Sequence, residues 1–159
     1  MSYTAIASQT LGSSASSVTF SSIPGTFRDL ILVVNLQISG SQAAYLRFNG
    51  NSSDYNYVTA RGNGSTAASY SAASQSSLDL IQNDSDAGNN SNFIVQIFDY
   101  AQTDKHKSVL SRHSHATERG ARMTAGGWGN TAAINTVLFT SLGGTYLAGS
   151  TFSLFGVSA

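Results

Sequence analysis

Cysteine is absent from this 159-residue chain, which excludes a disulfide framework, a thiolate zinc site and a cysteine nucleophile. The redox compartment therefore cannot be read from thiols. Charge is scarce as well: charged residues make up 10% of the sequence, and eight basic residues balance eight acidic ones, where an ordinary soluble domain is roughly a quarter charged. No stretch reaches the ~18 consecutive apolar residues of a membrane-spanning helix. The start, Met1-Ser2-Tyr3-Thr4-Ala5, has neither the basic region nor the apolar run of a secretory signal. No membrane association and no standard export signal are expected.

The polarity that remains comes from Ser, Thr, Asn, Gln and Gly. Such a chain is not disordered, because 41% of it is hydrophobic, it carries eight Phe and seven Tyr, and it contains runs such as Leu30-Ile31-Leu32-Val33-Val34. A domain of this length buries roughly two thirds of its unfolded surface and needs no metal or disulfide to do so. A hydroxyl-rich surface of zero net charge gives weak repulsion between copies and a low desolvation cost at contacts, which suits permanent assembly.

Apolar and polar residues alternate at period two in Val18-Thr19-Phe20, Tyr45-Leu46-Arg47-Phe48 and Phe152-Ser153-Leu154-Phe155-Gly156-Val157. Strands are predicted at about 3–11, 16–22, 28–38, 43–49, 55–61, 76–82, 92–101, 106–116, 132–141 and 150–157. Turn chemistry separates them at Pro24-Gly25, Asn49-Gly50, Asn63-Gly64, Ala87-Gly88-Asn89 and Gly143-Gly144. Phe93 to Phe98, the turn Thr103-Asp104-Lys105 and Ser108 to Ser111 read as a hairpin. Many short antiparallel strands with no amphipathic helix predict an all-β, two-sheet antiparallel sandwich of jelly-roll type. We expect a single domain over residues 16–159, with residues 1–15 as an N-terminal arm or first strand. The Ala-rich segment 66–75 is expected to be a loop or irregular edge strand, within surface loops at 62–77 and 83–92.

Chemical motifs are few. His106, His113 and His115 lie within ten residues, and the last two share one face of a strand. They supply two of the ligands a metal would need, but no third ligand is poised beside them, and exposed strand positions are the more ordinary account. The same region holds Lys105, Lys107, Arg112, Arg119 and Arg122 against Glu118, a local net charge of +4 in a neutral chain. That patch suits an acidic protein surface better than nucleic acid, for it lacks interleaved aromatics. Gly62 to Ala67, followed by Asp84, fits a loose dinucleotide pattern but lacks the strand and helix that pattern requires. Asn83 to Gly88 has paired carboxylates, yet its ligand positions fall out of register with a calcium loop and no closing glutamate follows. No nucleophile elbow is present. Trp128, flanked by Gly126-Gly127 and Gly129, is either a core or interface residue or a sugar-stacking platform. No enzymatic activity and no cofactor are expected.

Three pieces of the chain carry a resemblance: Val18 to Leu30 with Pro24-Gly25; Phe98-Asp99-Tyr100-Ala101 with Lys107 to Arg112; and Trp128 to Ile134 leading to Gly149 to Val157. Together they resemble virion structural proteins of tailed phages. The resemblance implies a homotrimeric jelly-roll module on the exterior of the particle, made in the host cytoplasm. Its role would be a capsid decoration (cement) protein bridging major-capsid subunits. The alternatives it leaves open are the receptor- or glycan-binding tip of a tail or head fibre and a carbohydrate-binding sandwich module. The expected partners are other copies of the chain and the major capsid protein or another virion protein, without direct nucleic-acid contact. The candidate interface residues are Tyr3, Ile6, Lys105, His106, Lys107, Arg112, His113, His115, Arg119, Arg122 and Trp128.

Overall fold

In the computed structural model, which describes residues 2–39, 42–84, 90–115 and 120–158, every regular element among the described residues is a strand. In chain order these are β1 (Ser2–Thr10), β2 (Ser17–Phe20), β3 (Asp29–Ser39), β4 (Gln42–Phe48), β5 (Tyr55–Gly62), β6 (Ala67–Gln75), β7 (Leu78–Asp84), β8 (Asn90–Phe98), β9 (Lys107–His115), β10 (Ala121–Trp128), β11 (Val137–Leu142), β12 (Thr145–Tyr146) and β13 (Thr151–Ser158). With no helix among them, none is long and apolar enough to cross a membrane.

The strands form two antiparallel sheets. The large one runs β1-β13-β3-β8-β9-β10-β5-β6, with β12 on the end of β3, and the small one runs β2-β11-β4-β7. The pairs β1–β13 and β3–β8 lie in one sheet and β2–β11 and β4–β7 in the other. In the sequence β1, β2, β3, β4, β7, β8, β11, β13 the chain changes sheet at every step except β4 to β7. Those eight strands are a jelly roll. Two insertions decorate it: β5–β6 interrupts the run from β4 to β7, and β9–β10 the run from β8 to β11. Both join the large sheet beyond β8 and give it a four-stranded wing, β9-β10-β5-β6.

Period-two patterning sets which face is buried. In β3, Leu30, Leu32, Val34 and Leu36 are buried and meet β4, β11 and β13 residues such as Leu46, Phe139 and Phe152. Phe139 sits at the aromatic centre, its ring 5.7 Å from Phe93, 5.5 Å from Tyr146 and 5.6 Å from Phe152. At the far end of the core, Trp128 stacks on Tyr55 at 6.3 Å and tilts against Phe48 at 5.9 Å.

The expected hairpin is present, with β8 and β9 paired from Ser91↔His115 to Phe98↔Ser108. Asn49 and Gly50 both adopt positive φ, 53° and 69°, which Asn and Gly reach at low cost in a tight turn. Segment 66–75 is the edge strand β6, irregular as one of the two alternatives had it, with a register shift opposite Tyr55–Tyr57 and Ser74 at positive φ, while β10 and β12 were not anticipated. The strand expected over 132–141 begins only at Val137. Ala132 to Thr136 runs irregularly instead, because the Asn49 side chain accepts the Asn135 and Thr136 amides and Ile134 N–H bonds Tyr100 O. The N-terminal segment is the edge strand of the large sheet, paired to β13 from Ser2↔Ser158 to Thr10↔Thr151 with a bulge at Ile6. The Ala87-Gly88-Asn89 turn and residues 85–88 of the calcium-like sequence lie outside the described residues.

Candidate functional site

Of the residues nominated from sequence, the fold keeps Tyr3, Lys105, His106 and Arg112 at the surface and half-buries Ile6 against the core. Lys105 pairs with Asp99 at 3.1 Å. Four nominations are corrected by burial. Lys107 is 2% exposed, and its Nζ donates to the carbonyls of Gln102, Lys105 and Thr131, so it pins a loop rather than a partner. Burial pushes its ammonium pKa down. His113 points inward and stacks on Phe93 at 4.7 Å. Arg122 is buried on the inner face of β10, and Trp128 belongs to the core. Arg119 and the side chain of His115 lie outside the described residues. No three His, Asp or Glu side chains among the described residues come together as a metal site. Gly62 to Ala67 is the hairpin turn between β5 and β6, where Asn63 Oδ1 accepts the Ser65 and Thr66 amides, and no helix follows it.

The three pieces that carry the resemblance meet at one end of the sandwich. Asp29 accepts the Asp99 amide at 3.0 Å and the Arg28 guanidinium at 2.8 Å. Tyr100 Oη donates to Pro24 O, while its own carbonyl receives the Ile134 amide. Those residues tie loops together and hold up the fold.

Two features that the sequence did not expose can do more. The first is the outer face of the large sheet. Strand register aligns Phe155, Ile31, Gln96, Leu110, Ala125 and Val58 in one row across six strands. Ser153, Val33, Ile94, Arg112, Met123 and Ala60 form another. Val33, Val58, Leu110 and Met123, four of the described large apolar side chains left exposed, all lie here. A solvated antiparallel face is ordinarily polar. These rows carry one charge, Arg112, and are otherwise apolar or neutral.

The second is a cleft where the wing closes around β7. Leu78, Asp79, Leu80 and Ile81 are buried in succession, so β7 is covered on both faces. Beside it a cavity of about 360 Å³ is lined by Tyr45 and Arg47 of β4, Tyr57 of β5, Gln75, Ser76, Ser77, Asp79 and the β11 residues Thr140, Ser141 and Leu142. Asp79 is 1% exposed and stands across from Tyr45 in the strand register. Burial pushes the Tyr57 hydroxyl pKa up to about 12, and the Asp79 carboxylate beside it adds to the rise; Tyr45 is raised by the same two causes. Arg47 Nε is buried with no hydrogen-bond partner among the described residues.

Both features were hidden because each joins residues from strands far apart in sequence. An alternation of apolar residues on β3 and β8 was visible, but which strands flank them was not. No family model, curated protein or solved structure matches this chain.

Proposed function

We propose that this chain is a non-enzymatic structural module of a tailed-phage virion, a capsid decoration protein that trimerises and bridges major-capsid subunits on the outside of the head. The outer face of the large sheet carries this reading. A wide apolar face exposed to water is costly for a lone monomer, and such patches mark protein contacts. A face with one cation and no carboxylate in its two apolar rows offers little to select an oppositely charged partner. It fits the neighbouring copy around a threefold axis, where this face of one copy packs against a different surface of the next and the ring closes after three. The jelly-roll topology and the resemblance of the three scaffold pieces support the same reading.

Two measurements test it. Light scattering of the purified chain at micromolar concentration is expected to give three chain masses, and co-sedimentation is expected to show binding to expanded, mature shells but not to unexpanded ones. A single-chain mass together with no binding to mature shells would refute the proposal.

A further inference from the structure

From the turn between β5 and β6 we infer a modification site: Asn63 cyclises onto the backbone nitrogen of Gly64 and deamidates in the folded chain, while Asn49, the other asparagine that precedes a glycine, is held back by bonds to a distant segment. This goes beyond the assembly reading and does not depend on it.

Asn49-Gly50 and Asn63-Gly64 share one local chemistry. The backbone nitrogen that follows each asparagine is tethered within reach of the side-chain Cγ, so attack is intramolecular, and a glycine puts no Cβ in its way. At Asn63, water or hydroxide takes the Gly64 amide proton, the nitrogen pair forms a bond to Cγ, and the carbonyl pair moves onto Oδ1. When that pair returns, the Cγ–Nδ2 bond breaks, Nδ2 takes a proton from water and ammonia leaves, so a succinimide remains. A second water opens the ring at either carbonyl and leaves an aspartate or an isoaspartate at position 63. Either product adds one negative charge to a chain whose net charge is zero.

The fold separates the two pairs. Asn63 and Gly64 are exposed. Asn63 Oδ1 accepts the Ser65 and Thr66 amides at 3.1 and 2.8 Å and the hydroxyls of both residues at 3.0 Å. This is the oxygen that turns negative during attack, and its donors already stand at the distances that stabilise an oxyanion. They all belong to the same turn, so they move with the carboxamide as the ring closes. Among the described residues no hydrogen bond holds its Nδ2, the nitrogen that departs.

Asn49 is half-buried, and its bonds run to another part of the chain. Its Oδ1 accepts the Asn135 and Thr136 amides at 3.0 and 3.1 Å, and its Nδ2 donates to Ala133 O at 2.8 Å. Its oxygen is polarised too, but its leaving nitrogen is tied down. Turning Cγ toward the Gly50 amide would tear the side chain from residues 133–136, which cannot follow it.

The test is peptide mapping by mass spectrometry of the full chain, aged folded in warm, mildly alkaline buffer beside a sample unfolded in urea. Trypsin cuts after Arg47, Arg61 and Lys105, so peptide 48–61 reports Asn49 and peptide 62–105, with the position assigned by fragmentation, reports Asn63. In the folded chain, conversion at position 63 is expected to run at least about tenfold faster than at position 49, the effect of the hydrogen bonds that Asn49 must break. In urea the two are expected to react at similar rates. Equal or faster conversion at position 49 in the folded chain overturns the inference. So does a folded chain in which position 63 stays intact while the urea sample converts. A Ser65→Ala/Thr66→Val variant keeps both amide donors and removes both hydroxyls. It is expected to slow position 63 about threefold or more in the folded chain and to leave the rate in urea unchanged, with amide spectra showing that it stays folded. An unchanged folded rate in that variant also overturns the inference.

Discussion

The jelly-roll half of the large sheet and its wing use the same strand geometry but line their inner faces differently. Beneath β13, β3 and β8 the inner face is Leu, Val, Ile and Phe, because the small sheet lies opposite and excludes water. Beneath β9, β10, β5 and β6 it includes Ser111, His113, Thr59, Thr124 and Arg122, all buried. The apolar half is held by packing, which tolerates no gap. The wing also buries polar groups, among which Thr59 and Thr124 bond each other, and a cavity lies where it meets Asp79, the buried carboxylate of β7 in the small sheet. An insertion that meets the opposing sheet at its edge strand β7 can carry polar groups that the middle of the core could not accept.

The contrast is broken most severely from the apolar side. Phe139→Ala removes a fully buried ring at the junction of three others and is expected to cost about 3–5 kcal/mol, read as a fall in urea midpoint at unchanged slope. A loss under about 1 kcal/mol would mean that the two sheets are not packed tightly here.

Alkali probes where wing and core meet. Burial holds the Tyr55 hydroxyl, which accepts the Phe48 amide at 2.8 Å, up to about 12 from an ordinary 10.0. The folded state thus keeps a proton that the unfolded chain gives up. Its contribution is complete below pH 10 and is lost as pH rises from 10 through about 12, roughly 2–3 kcal/mol in all. Denaturant midpoints measured from pH 9 to 12 are expected to fall, and less steeply in Tyr55→Phe.

Within the wing, Thr59 and Thr124 share a buried hydroxyl–hydroxyl bond of 2.9 Å. Thr59→Val leaves Thr124 unsatisfied and is expected to cost about 1–3 kcal/mol, while adding Thr124→Val recovers much of that loss. A double-mutant cycle measures the coupling, and strict additivity would show that the pair acts independently.

The smallest stability effect is expected on the outer face. Leu110→Glu and Met123→Glu replace exposed side chains and are expected to change the stability of the single chain by less than about 0.5 kcal/mol. They are nonetheless expected to convert the proposed trimer to one chain mass by light scattering, since each contact would bury two carboxylates with no cation opposite them. An unchanged oligomer would move the assembly surface elsewhere.

Gly126 marks the line between the two regions. A Cβ built there would lie 2.6 Å from Asn56 O and 2.9 Å from Tyr57 Cβ, so β10 approaches β5 and β7 more closely than any side chain permits. That is also why β10 was not legible. Its inward positions, Arg122, Thr124 and Gly126, are charged, polar and small, so the alternation that reveals a half-buried strand is missing. The same holds for β6, where Ala and Ser alternate with little contrast.

Composition and period-two patterning determined that the chain is all-β, which residues of β3, β8 and β13 face the core, where the β8–β9 hairpin turns, and that its surface is almost uncharged. Those properties are local, written in neighbouring residues and in the dihedral preferences of Gly and Asn. Only the tertiary structure decided that Lys107, His113, Arg122 and Trp128 are interior, that Val33, Val58, Leu110 and Met123 share one exposed face, and that Asp79 meets Tyr45 and Tyr57 in a cleft. Each depends on which distant strands become neighbours, and hydrogen-bond register across a sheet, rather than sequence separation, sets that adjacency.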